Sequence, residues 1–131
     1  MKGTLYGVGV GPGDPELMTL KAVRMIRENE IIAVPGADVK ETVAYKIAVQ
    51  AVPELEEKEL LPIYMPMTHD AKELEENHAK GAKALEACLD QGKNVVFLTL
   101  GDPCVYSTFS YLQHRVEADG YHAELVSGIT S

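Results

Sequence analysis

The chain of 131 residues is short of several things, and each shortage removes a class of function. It has two cysteines, Cys88 and Cys104, too few for a disulfide framework, so free thiols in a reducing compartment are expected. No stretch approaches the ~18 to 20 apolar residues that a membrane span needs, so no membrane partner is expected. The opening MKGTLYGVGVGPGD has one lysine and then glycines, not a long apolar run. No secretory leader is expected from it, and the expected location is the cytoplasm. Basic residues are the minority: 12 Lys and Arg against 20 Asp and Glu leave a net charge of −8. That balance speaks against a nucleic acid or an anionic membrane held mainly by charge. It leaves an anionic small molecule open, because local backbone donors can outweigh a global field.

Catalytic signatures are also missing. There is no G-x-x-x-x-G-K-[ST], which removes a P-loop, and no G-x-S-x-G or H-E-x-x-H. The four histidines, His69, His78, His114 and His122, do not pair with cysteine or acid at metal-ligand spacing, so no metal is expected. Cys104 has no histidine near it in sequence, which makes a nucleophilic role a poor fit.

What is there is an alternation. Apolar residues make up 46 %, enough for one domain with a sizeable core. Residues 4–10 read as a strand broken by Gly11, Pro12 and Gly13. Asp14, Pro15 and Glu16 then supply a helix cap, a first-turn proline and a first-turn acid, with Leu17, Leu20, Val23 and Ile26 at helical spacing. A strand over 31–34 ends in Pro35 and Gly36. A helix over 42–52 is closed by Pro53, and a strand follows over 60–64. The longest helix covers 70–91, with Leu74, Ala82, Leu85 and Leu89 on one side and Gly92 past its end. A strand over 94–100, a helix over 108–118 and a strand over 121–126 complete the order. Strands alternating with helices predict an α/β fold: an open, mostly parallel five-stranded sheet with helices on both faces.

Right-handed crossovers place every strand's carboxyl end on one edge, where open α/β sheets bind ligands. The irregular residues fall there: Gly11 to Asp14, Pro35 and Gly36, Gly101 to Pro103, and the final SGITS. The glycines Gly7, Gly9, Gly11 and Gly13 miss the G-x-G-x-x-G spacing of a dinucleotide fingerprint, and no acid ends the second strand. They fit a tight turn and close helix packing equally well. Asp102 has two readings on spacing alone, a ligand contact or the stabiliser of its own turn.

Read together, LYGVGVGPGDPELMTLKAVRMI, AVPG, LTLGDPCVYSTFSYL and SGITS closely resemble the tetrapyrrole (corrin/porphyrin) methylase family over essentially the whole chain. The first segment is general to the family; the GDPCVYSTFSYL segment is most like the precorrin-2 C20-methyltransferase branch. The resemblance implies the N-terminal domain of a two-domain enzyme, with the C-terminal domain absent from this chain and this half inactive alone. It implies S-adenosyl-L-methionine as methyl donor, S-adenosyl-L-homocysteine as product, and C20 of precorrin-2 or cobalt-factor II as acceptor in cobalamin biosynthesis. A homodimer is implied for the full-length protein.

Carried over by position, the cofactor contacts implied are Pro35, Leu100, Gly101, Asp102, Val105, Tyr106, Thr130 and Ser131. Gly11, Pro12, Gly13 and Asp14 would face the tetrapyrrole. Many members have glycine where Leu100 stands, so that contact would be made by backbone. The substrate's carboxylates would need donors: the Gly11 to Asp14 amides, the helix N-terminus after them, Lys21 or Arg24. Lys21 and Arg24 also read as solvated helix positions. A base for the later proton removal stays open among Tyr106, Asp14 and water. Two alternatives accompany this reading: a relative methylating another tetrapyrrole position, and a non-catalytic module binding adenosyl ligands.

Overall fold

In the computed structural model, residues 2–9, 19–36, 38–63, 70–99 and 103–126 are described, without the side chains at 39 and 103–108. Five strands, β1 (Thr4–Gly9), β2 (Ile31–Pro35), β3 (Glu59–Ile63), β4 (Val95–Thr99) and β5 (His122–Val126), form one sheet in the order β3-β2-β4-β1-β5. All four pairings are parallel, so the mostly parallel sheet expected from the alternation is wholly parallel. Four helices connect the strands: α1 (Leu20–Glu28), α2 (Val43–Ala51), α3 (Ala71–Asp90) and α4 (Pro103–Ala118). Short 3-10 turns at Val39–Glu41 and Pro53–Glu57 flank α2.

The period-two alternation of the strands sorts the core into two layers. Val8, Ile32, Val34, Val96, Leu98 and Val126 face α1 and α2, meeting Ala22, Ile26, Ala44 and Ala48. Leu5, Ile31, Ala33, Val95, Phe97 and Ala123 face α3 and α4, meeting Ala82, Leu85, Leu89, Phe109, Leu112 and Val116. Every residue of β4 is buried, as expected of a central parallel strand covered on both faces. Each fully buried Val, Leu or Phe there contributes about 1.5 to 3 kcal/mol.

Two helices begin elsewhere than the sequence suggests. The helix carrying Val23 and Ile26 is capped by Thr19, whose Oγ1 accepts the Ala22 N–H at 3.0 Å, and not by Asp14, which lies outside the described residues. Leu20, assigned by its spacing to the apolar stripe, is 89 % exposed, since it opens the helix at the rim of the sheet. α4 begins at Pro103, five residues before the expected start at Thr108. Proline has no N–H to lose and its fixed φ suits the first helical position, so Pro103 opens the helix.

The other ends follow their signals. Thr42 caps α2 by accepting the Tyr45 N–H at 3.2 Å, and Pro53 follows the Val52 C-cap. Asp70 caps α3 by accepting from Lys72 and Glu73, and Gly92 behind it has φ 79°. Gly7 answers part of the question raised by the glycine-rich opening. A Cβ there would lie 2.4 Å from Cζ of Phe109, whose ring also packs on Phe97 with centroids 5.5 Å apart. This glycine lets α4 approach the sheet.

Candidate functional site

Parallel strands bring their carboxyl ends together. Register aligns Gly9 of β1 with Thr99 of β4, and Pro35 of β2 with Ile63 of β3. Ala33 pairs with Phe97, so Pro35 and Thr99 each lie two residues further toward the same edge. Gly9, Thr99 and Pro35 therefore form a row across three adjacent strands.

The connections make the centre of this row special. From β1 the chain passes through α1 toward β2, over one face. From β4 it passes through α4 toward β5, over the opposite face. Adjacent strands whose connections leave in opposite directions open a crevice between their carboxyl ends, and open α/β sheets bind ligands there. That rule puts the candidate binding place between Gly9 and Thr99, which precede Gly11 to Asp14 and Leu100 to Asp102 in the sequence.

Of the residues singled out by sequence, Pro35 is placed fully. It ends β2, half-buried, as an interior strand allows for a proline only at its limit. Gly36 follows with φ 135°, and its N–H donates to the Ile63 carbonyl at 2.8 Å. Val105 and Tyr106 lie in the opening of α4; their side chains are outside the described residues. So are Gly11, Pro12, Gly13, Asp14, Leu100, Gly101, Asp102, Thr130 and Ser131. Lys21 and Arg24 lie on the exposed side of α1, as solvated helix positions do. Sequence reasoning passed over Thr99, a polar side chain with 3 % exposure at the centre of the row. Its signal was a lone hydroxyl closing the apolar run VVFLT.

Among the described residues no group of three His, Cys, Asp or Glu is placed to hold a metal ion. Burial pushes the Cys88 thiol up, away from the thiolate form. One ionic cluster joins α3 to α4. Arg115 Nη1 donates to Glu75 Oε1 at 2.8 Å, and the Tyr111 hydroxyl donates to Glu75 Oε2, so Glu75 is held below the usual carboxylate range. His78 stacks on Tyr111 with centroids 4.4 Å apart, and burial lowers its pKa. These contacts bind α3 to α4.

Comparison with known proteins gives a consistent result. Residues 4–131 match the family model for tetrapyrrole (corrin/porphyrin) methylases. The chain is 38 % identical to the cobalamin biosynthesis protein CobIJ of Mycobacterium tuberculosis over 99 % of its own length and 27 % of that protein's. It is 38 % identical to a probable cobalt-precorrin-2 C(20)-methyltransferase of Methanocaldococcus jannaschii, covering 97 % of this chain and 53 % of that one. The crystal structure of a Thermus thermophilus uroporphyrin-III C-methyl transferase complexed with S-adenyl homocysteine superposes with a TM-score of 0.65 at 29 % identity, over 98 % of this chain and 49 % of that one. The chain thus spans about half the length of these relatives, or less.

Proposed function

Because the chain belongs to the tetrapyrrole (corrin/porphyrin) methylase family, we propose that it forms the first half of an S-adenosylmethionine-dependent C-methyltransferase. The acceptor proposed is C20 of precorrin-2 or cobalt-factor II in cobalamin biosynthesis. The observation that carries the reading is the adjacency of the β1 and β4 ends, Gly9 beside Thr99, with connections over opposite faces and with GPGD and GDP following them in the sequence. The names of the Mycobacterium and Methanocaldococcus relatives support cobalamin biosynthesis, and the second supports C20. The GDPCVYSTFSYL segment supports the same branch over the acceptor of the Thermus relative.

The residues suit the task. When bound, S-adenosylmethionine supplies a methyl group already activated on a sulfonium. The protein then has mainly to align donor and acceptor, and orientation of that kind supplies on the order of 7 to 11 kcal/mol. A row containing a glycine and a proline exposes backbone with little side-chain bulk, which suits a flat nucleoside. We assign the donor's contacts to Pro35, Leu100, Gly101, Asp102, Val105, Tyr106, Thr130 and Ser131. Asp102 accepts from ribose hydroxyls or offsets the donor's positive charge. Gly11, Pro12, Gly13 and Asp14 face the tetrapyrrole, and their amides answer its carboxylates. The whole protein acts as a cytoplasmic homodimer in this reading.

Calorimetric titration of S-adenosylhomocysteine into the whole protein tests the proposal. Saturable heat is expected, with affinity falling about tenfold or more in Asp102→Ala, the loss of one hydrogen bond to a charged group. A tetrapyrrole panel then separates C20 acceptors from uroporphyrinogen III. No heat with any preparation overturns the donor assignment.

A further inference from the structure

The sheet has two outer strands, and the sequence treats them differently. β3 closes one side with Pro62, exposed and without an N–H, and with Glu59 exposed at its start. Proline and charge on an outer strand discourage a further strand from pairing there. β5 closes the other side with HAELV, in which every residue has an N–H. Among the described residues no strand pairs with its outer side. Alternate N–H and C=O groups of such a strand point outward, as a template for one more strand. Leu125 in it is 40 % exposed. A groove runs beside it, lined by Lys21 and Met25 of α1, Gln113 of α4, and Glu124 and Leu125 of β5 itself.

The side chains of β5 decide what fits it. Alternation puts His122, Glu124 and Val126 on the face of α1 and α2, and Ala123 and Leu125 on the face of α3 and α4. His122 Nε2 lies 3.2 Å from Glu124 Oε1, and both side chains are more than half exposed. A second copy of β5, added antiparallel about a two-fold axis through the sheet, meets the first with one residue on the axis. With Glu124 on the axis, two carboxylates face each other. With Ala123 on the axis, His122 stands opposite Glu124 of the second copy, twice, so that donor and acceptor alternate around four side chains. On the other face Leu125 stands opposite Tyr121 of the second copy, and Tyr121 already packs on the core of that face. Opposite charges placed directly across favour an antiparallel pair, and like charges oppose it.

We propose that β5 is the contact between two copies of this chain, paired antiparallel about Ala123 so that two five-stranded sheets become one. Ala123 meets Ala123 at the axis and brings neither bulk nor charge there. Backbone hydrogen bonds supply the attraction, and the His122–Glu124 pairs set the register. The outer strand left at each end of the joined sheet is β3, which Pro62 guards, so association stops at two copies. The inference rests on the proposed homodimer only in the number of copies, and adds the surface.

Sedimentation equilibrium of the native chain over a range of concentrations tests this, and a monomer–dimer equilibrium is expected. His122→Glu sets acid opposite acid, and Glu124→His sets histidine opposite histidine. Each is expected to weaken association about tenfold, because two pairs are lost at once. The double variant His122→Glu/Glu124→His restores both pairs with their roles exchanged, and is expected to recover the native association. A native chain that stays monomeric overturns the proposal together with the homodimer. Association unaltered by the single changes, or not recovered by the double one, places the contact elsewhere and overturns the assignment of β5 alone. Amide hydrogen exchange of the native chain decides the matter if a variant does not fold. Protection of β5 that rises with concentration supports the proposal; protection independent of concentration means that another segment of the same chain covers β5, and overturns it. The titration of S-adenosylhomocysteine tests the methyl-donor reading separately.

Discussion

At the amino edge of the sheet the chain ends are tied to one another. The Gly3 N–H donates to the Leu89 carbonyl at 2.8 Å, the Thr4 N–H to Asn94 Oδ1 at 2.8 Å, and the Tyr121 N–H to the Val116 carbonyl at 2.9 Å. A side chain adds to these ties: the Tyr121 hydroxyl donates to Asp90 at 2.6 Å. At the carboxyl edge the described strand ends are plainer. β1 stops on Gly9, which has no side chain, and β2 on Pro35, which has no N–H. The same five strands thus carry a tied edge and, among the described residues, a plainer one, the edge to which the proposal assigns the methyl donor. In a parallel sheet the two roles separate naturally, because every crossover returns the chain to the amino edge by a helix end that must be capped and packed.

Substitutions should respect that division. The largest effect is expected at the amino edge. A Cβ on Gly3 would stand 2.0 Å from the Lys93 carbonyl oxygen, a backbone atom that cannot yield without moving the strand. Gly3→Ala should cost about 3 kcal/mol of folding stability, read as a fall in the urea midpoint. S-adenosylhomocysteine affinity of the molecules that remain folded should hold, and a matching loss of affinity breaks the comparison.

Gly36→Ala is expected to come next, and it probes whether the carboxyl edge is purely a binding edge. Its φ of 135° disfavours any side chain, and a Cβ would meet Thr42 Cγ2 at 2.6 Å, beside the cap of α2. A loss of about 1 to 3 kcal/mol is expected. Because Pro35 precedes it, affinity should fall as well, in calorimetry at a temperature where the variant is folded. A stability loss with unaltered affinity would move Pro35 out of the site.

The smallest effect lies back at the amino edge. The hydrogen bond to Asp90, followed by burial and the charge of Asp90, pushes the Tyr121 hydroxyl up to about 12. Asp90→Asn removes the charged acceptor, so ultraviolet titration should show one tyrosine ionising at lower pH than in the native chain. The contact is exposed, and the unfolding midpoint should hardly change. A large destabilisation would mean that the amino edge depends on single exposed contacts more than its many backbone ties suggest.

The order of strands and helices was legible in the sequence because its signals are local. Asp70 capping α3, Gly92 behind it, Pro53 after α2 and the unbroken VVFLT of β4 each act within a few residues, and each holds in the structure. That the strands preceding GPGD, PG, GDP and SGIT end on one edge followed from alternation alone. Two boundaries were misread where local signals competed. Asp14 and Thr19 both suit a helix cap, as Pro103 and Thr108 both suit a helix start, and propensity ranks such rivals too weakly to choose. Tertiary structure decided the rest. It set β4 between β2 and β1, so that Gly9 faces Thr99 and the crevice opens there. It seated Phe109 on Gly7 and Tyr121 against Asp90, residues about 100 and 31 positions apart. Such meetings depend on which surfaces win each other across the whole chain, and no local pattern of residues contains that outcome.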